Sequence, residues 1–170
     1  MAWWHAVIET IASEFSDLPD VPQFTRLVLR LLLAALLGGL LGLQRERHGK
    51  EAGVRTHMLV ALGAAMFVLV PQQAGMEAAD LSRVMQGVIA GIGFLCAGTI
   101  LKSGDDQVRG LTTAAGIWLT AAIGMAAGVG RETTAVLSTM LALAILALEG
   151  PIRRLMRGRG AQGAEADREH

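Results

Sequence analysis

Two polar segments, Gln44 to Thr56 and Lys102 to Thr113, hold most of the side chains with which this chain could do chemistry. The first reads Gln-Arg-Glu-Arg-His-Gly-Lys-Glu-Ala-Gly-Val-Arg-Thr and the second Lys-Ser-Gly-Asp-Asp-Gln-Val-Arg-Gly-Leu-Thr-Thr, and each runs directly into an apolar stretch. The candidate functional or binding residues are Arg45, Glu46, Arg55 and Thr56 in the first segment and Asp106, Arg109, Thr112 and Thr113 in the second. Asp105 and Asp106 precede a helix start, where a carboxylate favours the positive end of the helix dipole, and the two threonines can satisfy free backbone groups of the first turn. Arg109 opposes that dipole and needs a carboxylate or phosphate, with Glu46 or Asp106 the nearest candidates by topology.

Three chemistries can be drawn from this set. A hard cation such as Mg²⁺ wants oxygen ligands, which Glu46, Glu51, Asp105 and Asp106 could supply with the threonine hydroxyls. An anion suits Arg55 and Arg109 better. The plain structural reading is a salt-bridged collar that fixes the depth of the helices, because charges at the edge of a bilayer are costly unless they pair or face water. No metal is assigned: the four histidines are scattered, and zinc-like ligand spacing is absent. Ser103, His48 and Asp105 could be drawn as a triad, but nothing fixes their geometry, so the chain is not read as an enzyme and no cofactor is implied.

The elements that must position these residues are membrane helices. The chain has 170 residues, 52% of them hydrophobic, and the apolar residues come in blocks. Leu27 to Leu43, Met58 to Val70, Val84 to Leu101, Leu111 to Val129 and Thr133 to Leu148 each suit one crossing once their flanks are included, since a hydrocarbon core of roughly 30 Å needs about 20 helical residues. The expected fold is therefore an all-α membrane protein, a bundle of five transmembrane helices preceded by an amphipathic N-terminal helix. Three units follow: residues 1–22 as the interfacial helix and linker, 23–150 as the membrane domain, and 151–170 as a tail that is first basic and then polar.

In the first unit Trp3, Trp4, Val7, Ile8, Ile11, Ala12 and Phe15 recur at helical spacing opposite Glu9, Ser13, Glu14 and Asp17. The paired tryptophans suit the headgroup region, although a helix that only packs on the bundle fits the pattern equally. In the tail, Gly158 to His170 offers too little apolar surface to offset the entropy of ordering, so disorder is expected. Arg153, Arg154 and Arg157 are read as meeting lipid headgroups, not nucleic acid.

Arg26 and Arg30 share a face at the start of the first crossing and are expected to snorkel toward the interface, with an arginine-lined outer vestibule as the sharper alternative. Three Gly-x-x-x-Gly pairs, Gly38 with Gly42, Gly87 with Gly91, and Gly124 with Gly128, predict tight helix packing within the chain, with homo-oligomerisation as the lesser reading. Eleven of the fifteen Lys and Arg fall on one side if the N-terminus is outside and the C-terminus cytoplasmic, against Arg26, Arg30, Arg83 and Arg131 on the other. That bias predicts N-out and C-in. Cys96 stands alone, so no internal disulfide is possible.

Four stretches resemble, in order, the motifs of the MgtC/SapB family of bacterial inner-membrane proteins. They are Leu37-Gly-Gly-Leu-Leu-Gly-Leu-Gln-Arg-Glu-Arg, Gly53-Val-Arg-Thr-His-Met-Leu-Val-Ala-Leu-Gly, Gly91-Ile-Gly-Phe-Leu-Cys-Ala-Gly-Thr-Ile and Val108-Arg-Gly-Leu-Thr-Thr-Ala-Ala-Gly-Ile-Trp-Leu. The resemblance covers roughly Leu27 to Leu148 and implies a five-helix membrane part. It also implies a link to growth at low magnesium, to virulence and to restraint of the membrane ATP synthase. Gln44 and Cys96 stand where the resemblance leads one to expect a glutamate and a glycine, and the chain is expected to be a short form without the family's C-terminal cytoplasmic domain.

Two functions follow as expectations. One is a non-enzymatic regulator that contacts another inner-membrane complex through its small-residue faces and charged collar. The other is a transporter or channel for a small ion, Mg²⁺ or an anion. Against the cation stands the lack of any acidic residue in the middle of a span.

Overall fold

A computed structural model describes residues 3–14, 20–102 and 108–148. Six helices run in order: α1 Trp3–Glu14, α2 Val21–Arg47, α3 Val54–Gln73, α4 Ala78–Gly98, α5 Leu111–Gly128 and α6 Glu132–Ala147. Between α4 and α5 lies a minimal antiparallel hairpin, β1 Leu101–Lys102 with β2 Val108–Arg109, in which Leu101 faces Arg109 and Lys102 faces Val108. The all-α membrane fold expected from hydropathy is what the chain adopts. Four helices, α2 to α5, have the length and apolarity to cross a bilayer. The 16 residues of α6 are apolar but reach only about 24 Å at 1.5 Å per residue, so the count of five crossings is approximate.

Helix α2 is longer than its apolar block. Its 27 residues continue through Gln44, Arg45, Glu46 and Arg47, so the start of the first polar segment is the last turn of a helix, not a loop. The reason is local. These four residue types are good helix formers, and nothing ends the helix until His48 and the left-handed Gly49 at φ 63°. At its other end Pro22 sits in the first turn, where its missing N–H costs no hydrogen bond. Helix α4 likewise begins before its apolar block, at Ala78, with an exposed Asp80–Arg83 pair in its first two turns.

Helix α5 is the centre of the bundle, touching α2, α3, α4 and α6, and ten of its eighteen residues are buried. Its neighbours come close because the buried surfaces are built mostly of alanine and glycine. One cluster joins Ala34, Leu37 and Leu41 of α2 to Ala61 and Ala65 of α3, Ile123 and Ala127 of α5, and Ala135 and Ala142 of α6. A second joins Ala64 and Val68 of α3 to Ala121 and Met125 of α5, with side chains of α4 half-buried against it.

The three glycine pairs fare differently. A Cβ on Gly38 would lie 2.6 Å from the carbonyl oxygen of His57, and one on Gly42 would lie 2.6 Å from Cα of Val54, so this pair is where α2 meets α3. On α5, a Cβ at Gly124 or Gly128 would collide with the backbone of Ala61 or Ala65. Gly87 and Gly91 are exposed, and a Cβ on either meets nothing within 4 Å. Packing within the chain thus accounts for two pairs and leaves the α4 pair open.

No residue of α1 is buried, and Trp3 and Trp4 stack with ring centroids 3.8 Å apart. Phe15 and Asp17 of the expected amphipathic pattern lie outside the described residues, as does the whole tail from 149 onward.

Candidate functional site

The C-terminal turn of α2 and the first turns of α3 and α5 meet at one end of the bundle. A six-residue link joins α2 to α3 after Arg47, closed by backbone hydrogen bonds from His48 and Lys50 to Arg45 and from Gly49 to Glu46. Helix α5 starts at a glycine for a steric reason. Gly110 has φ 91°, and a Cβ there would run into the carbonyl oxygen of Thr99 at the end of α4. That close approach brings the start of α5 against the end of α4, and Cys96 fastens it by donating its thiol hydrogen to the carbonyl of Ala114 at 3.2 Å.

Arg45 and Thr113 come together inside this end. Arg45 is only 1% exposed, and its Nη2 donates to the Thr113 hydroxyl at a long 3.4 Å. His57, fully buried in the first turn of α3, places Nδ1 3.0 Å from the carbonyl of Gly53. A carbonyl has no proton to give, so Nδ1 carries the hydrogen. The other ring nitrogen, Nε2, is buried without a hydrogen-bond partner among the described residues and faces α5 at Gly116, where a Cβ would stand 3.6 Å away. The side-chain amide of Gln44 is buried beside Arg45 in sequence, and both of its polar atoms also lack a partner among the described residues.

Glu46 does a different job. Its Oε2 accepts the free N–H of Val54 at 3.0 Å and so caps α3 from the preceding helix. Gly53 leaves the room for it, since a Cβ there would lie 2.5 Å from the same oxygen. Glu46→Ala is expected to lower stability by about 1 kcal/mol through loss of this cap, with Glu46→Gln retaining about half of it. Denaturant titration followed by helical circular dichroism reads the difference, and an Ala variant indistinguishable from wild type would show that the cap is not made.

The other sequence-derived candidates scatter outward. Arg55, Thr56, Arg109 and Thr112 are all exposed, and Asp106 lies outside the described residues. Of the eight, then, Arg45 and Thr113 line the interior, Glu46 bridges α2 to α3, and four form an open charged and hydroxylic rim. Gln44 and His57 are not among those eight, although the resemblance marks Gln44 as standing in place of a glutamate. A signal existed for His57: it leads the buried face of α3 that continues at helical spacing through Ala61, Ala64, Ala65 and Val68.

The interior part of the site holds one cation, one imidazole, one amide and one hydroxyl. Among the described residues no group of three or more His, Cys, Asp or Glu could hold a metal ion. What these four side chains offer a ligand is the positive charge and donors of Arg45, an amide and a hydroxyl that both donate and accept, and the acceptor Nε2 of a neutral His57, with no carboxylate inside.

A model of the MgtC family matches residues 31–155. The chain belongs to the MgtC family. The match takes in every residue of the site just described and begins after Arg30. This MgtC-family chain is 48% identical to protein SrpB of Synechococcus elongatus over 143 residues, which is 77% of each chain. It is 40% identical over 126 residues to YhiD of Escherichia coli K12, which is named as a candidate magnesium transporter, and 42% identical over 123 residues to protein MgtC of Brucella abortus. It spans 58% of the length of that YhiD and 51% of that MgtC. No solved structure matches it. Family membership and the apolar helices together make it a multi-pass membrane protein of the MgtC family.

Proposed function

We propose that this chain is a non-enzymatic regulator in magnesium homeostasis or virulence that acts by docking on another complex of the bacterial inner membrane. It sits with its N-terminus outside and its C-terminus in the cytoplasm, an orientation supported by the bias of Lys and Arg toward the end that carries Arg45 and Arg109. The observation that carries the reading is α4. No residue of this 21-residue helix is buried, and its Gly87 and Gly91 face outward with nothing against them. Small residues cost helix stability and offer lipid no better contact than leucine, so an open pair one turn apart is suited to close approach by a second helix. The exposed rim of Arg55, Thr56, Arg109 and Thr112 is an open polar surface of the kind a partner's soluble face can meet.

The test is Gly91→Leu. The variant is expected to insert and melt like wild type, because a Cβ at this position meets nothing within 4 Å. It should lower recovery of the partner complex in gentle detergent by about tenfold and weaken growth at low magnesium with it. Wild-type extraction that recovers only this chain would sink the reading, and a partner that proves to be a second copy would replace the complex with a homodimer.

A small-ion transporter is the second reading, favoured by the buried Gln44, Arg45, His57 and Thr113 at the edge of the spans. With Arg45 inside and no carboxylate among them, that path suits an anion better than Mg²⁺. Liposome flux of either species that Gly91→Leu leaves unchanged would favour transport over docking.

A further inference from the structure

At the opposite end of the bundle the geometry points to a binding site for a phosphate-type oxyanion, held by Arg26 and Arg30 in a cavity between the start of α2 and the end of α3. The cavity has a volume of about 280 Å³ and is lined by Gln23, Arg26, Leu27, Arg30, Leu69, Gln72 and Gln73. That is just under the range of about 300–1,000 Å³ that holds drug-sized ligands, and it matches a head group better than a larger molecule.

Its two arginines are prepared differently. Arg30 is fixed in place: Nε pairs with Glu132 at 3.4 Å, and Nη1 donates to Gln72 Oε1 at 3.3 Å and to the carbonyl of Gly128 at 3.2 Å. It thereby ties α2 to α3, α5 and α6, which fixes the wall of the cavity. Arg26, one turn earlier on the same face, lines the same cavity and has no hydrogen bond or ion pair with any described residue. The side chains of Gln23 and Gln73 are equally unengaged. Two guanidinium groups against the single carboxylate of Glu132 leave one positive charge over, carried by a planar fork of donors that fits phosphate oxygens two at a time. The amides of Gln23 and Gln73 add donors without adding negative charge.

Snorkelling alone would account for a long cationic side chain near the interface. It does not account for an anchored arginine and an unengaged one meeting three glutamines around a hollow. The phosphate can come from two sources, an anionic phospholipid whose head group enters from the bilayer or free phosphate from the aqueous side. Both place the same oxygens against Arg26.

The experiment uses the full chain in nanodiscs. In one arm, native mass spectrometry counts phosphatidylglycerol retained from mixed phosphatidylcholine and phosphatidylglycerol discs. In the other, inorganic phosphate is titrated calorimetrically into protein held in phosphatidylcholine alone. Wild type is expected to bind in at least one arm, and Arg26→Gln to weaken that binding by about tenfold, the weight of a charge-assisted hydrogen bond, with its melting temperature unchanged. Arg83→Gln is the control, an exposed arginine in the first turns of α4 that pairs with Asp80. Loss in the lipid arm alone assigns the head group, loss in the phosphate arm alone assigns the soluble anion, and loss in both assigns the shared chemistry. Wild type that binds in neither arm, Arg26→Gln that binds like wild type, or Arg83→Gln that loses as much as Arg26→Gln overturns the proposal.

Discussion

Gly124→Leu is expected to destabilise the bundle by about 3 kcal/mol or more, while the same change at Gly91 leaves it intact. The contrast follows from what each residue meets. A Cβ on Gly124 would lie 2.8 Å from Cα of Ala61, and closer still to its carbonyl oxygen, so the obstacle is backbone that cannot rotate out of the way. Overpacking a core against movable side chains costs about 1–3 kcal/mol, and a backbone obstacle belongs at or above the top of that range. The loss would spread, because α5 is the helix that α2, α3, α4 and α6 all touch. Reversible unfolding in mixed micelles, followed by helicity or by tryptophan fluorescence from Trp118, reads the effect. Equal midpoints for Gly124→Leu and wild type would mean that α3 and α5 do not approach as described.

Arg45→Ala should be the most damaging change at the other end, lowering stability by about 2–5 kcal/mol through the cavity it leaves. Among the described residues Arg45 is the largest fully buried side chain, so its removal leaves both a hollow and unmatched polar neighbours at the meeting of α2 and α5. Lysine keeps the charge but supplies a compact ammonium in place of the planar fork, and Arg45→Lys should recover only part of the loss. Thr113→Val is the companion measurement. The 3.4 Å bond it removes is long, and about 0.5–1 kcal/mol is expected. The same unfolding assay ranks the three, and an Arg45→Ala loss under about 1 kcal/mol would show that the guanidinium is not an internal part of the structure.

How far the residues alone foretold this arrangement differs between elements. Helix α5 is bounded almost as its apolar block predicts, because a chain of small and apolar residues between Gly110 and Gly130 has sharp ends. The polar ends of α2 and α4 were less legible. Gln, Arg and Glu extend a helix as readily as they form a loop, and hydropathy measures affinity for lipid, not helical conformation. The first polar segment therefore divides into a helix end, a short link and a helix start, and its residues face different ways. Arg45 turns in, Glu46 reaches across to Val54, and Arg55 turns out.

The membrane class, the approximate number of crossings and the family were determined by the order of residue types alone. Burying a run of apolar side chains in lipid is a property of each segment and needs no knowledge of its neighbours. Which glycine pair is filled, which arginine is enclosed and which is left unengaged were decided only by the tertiary structure. Three identical Gly-x-x-x-Gly spacings carry the same helical face, yet Gly38 with Gly42 and Gly124 with Gly128 are covered by α3 while Gly87 with Gly91 stay open. Helical periodicity states which residues share a face. What covers that face depends on contacts between segments far apart in the chain, and no local pattern encodes them.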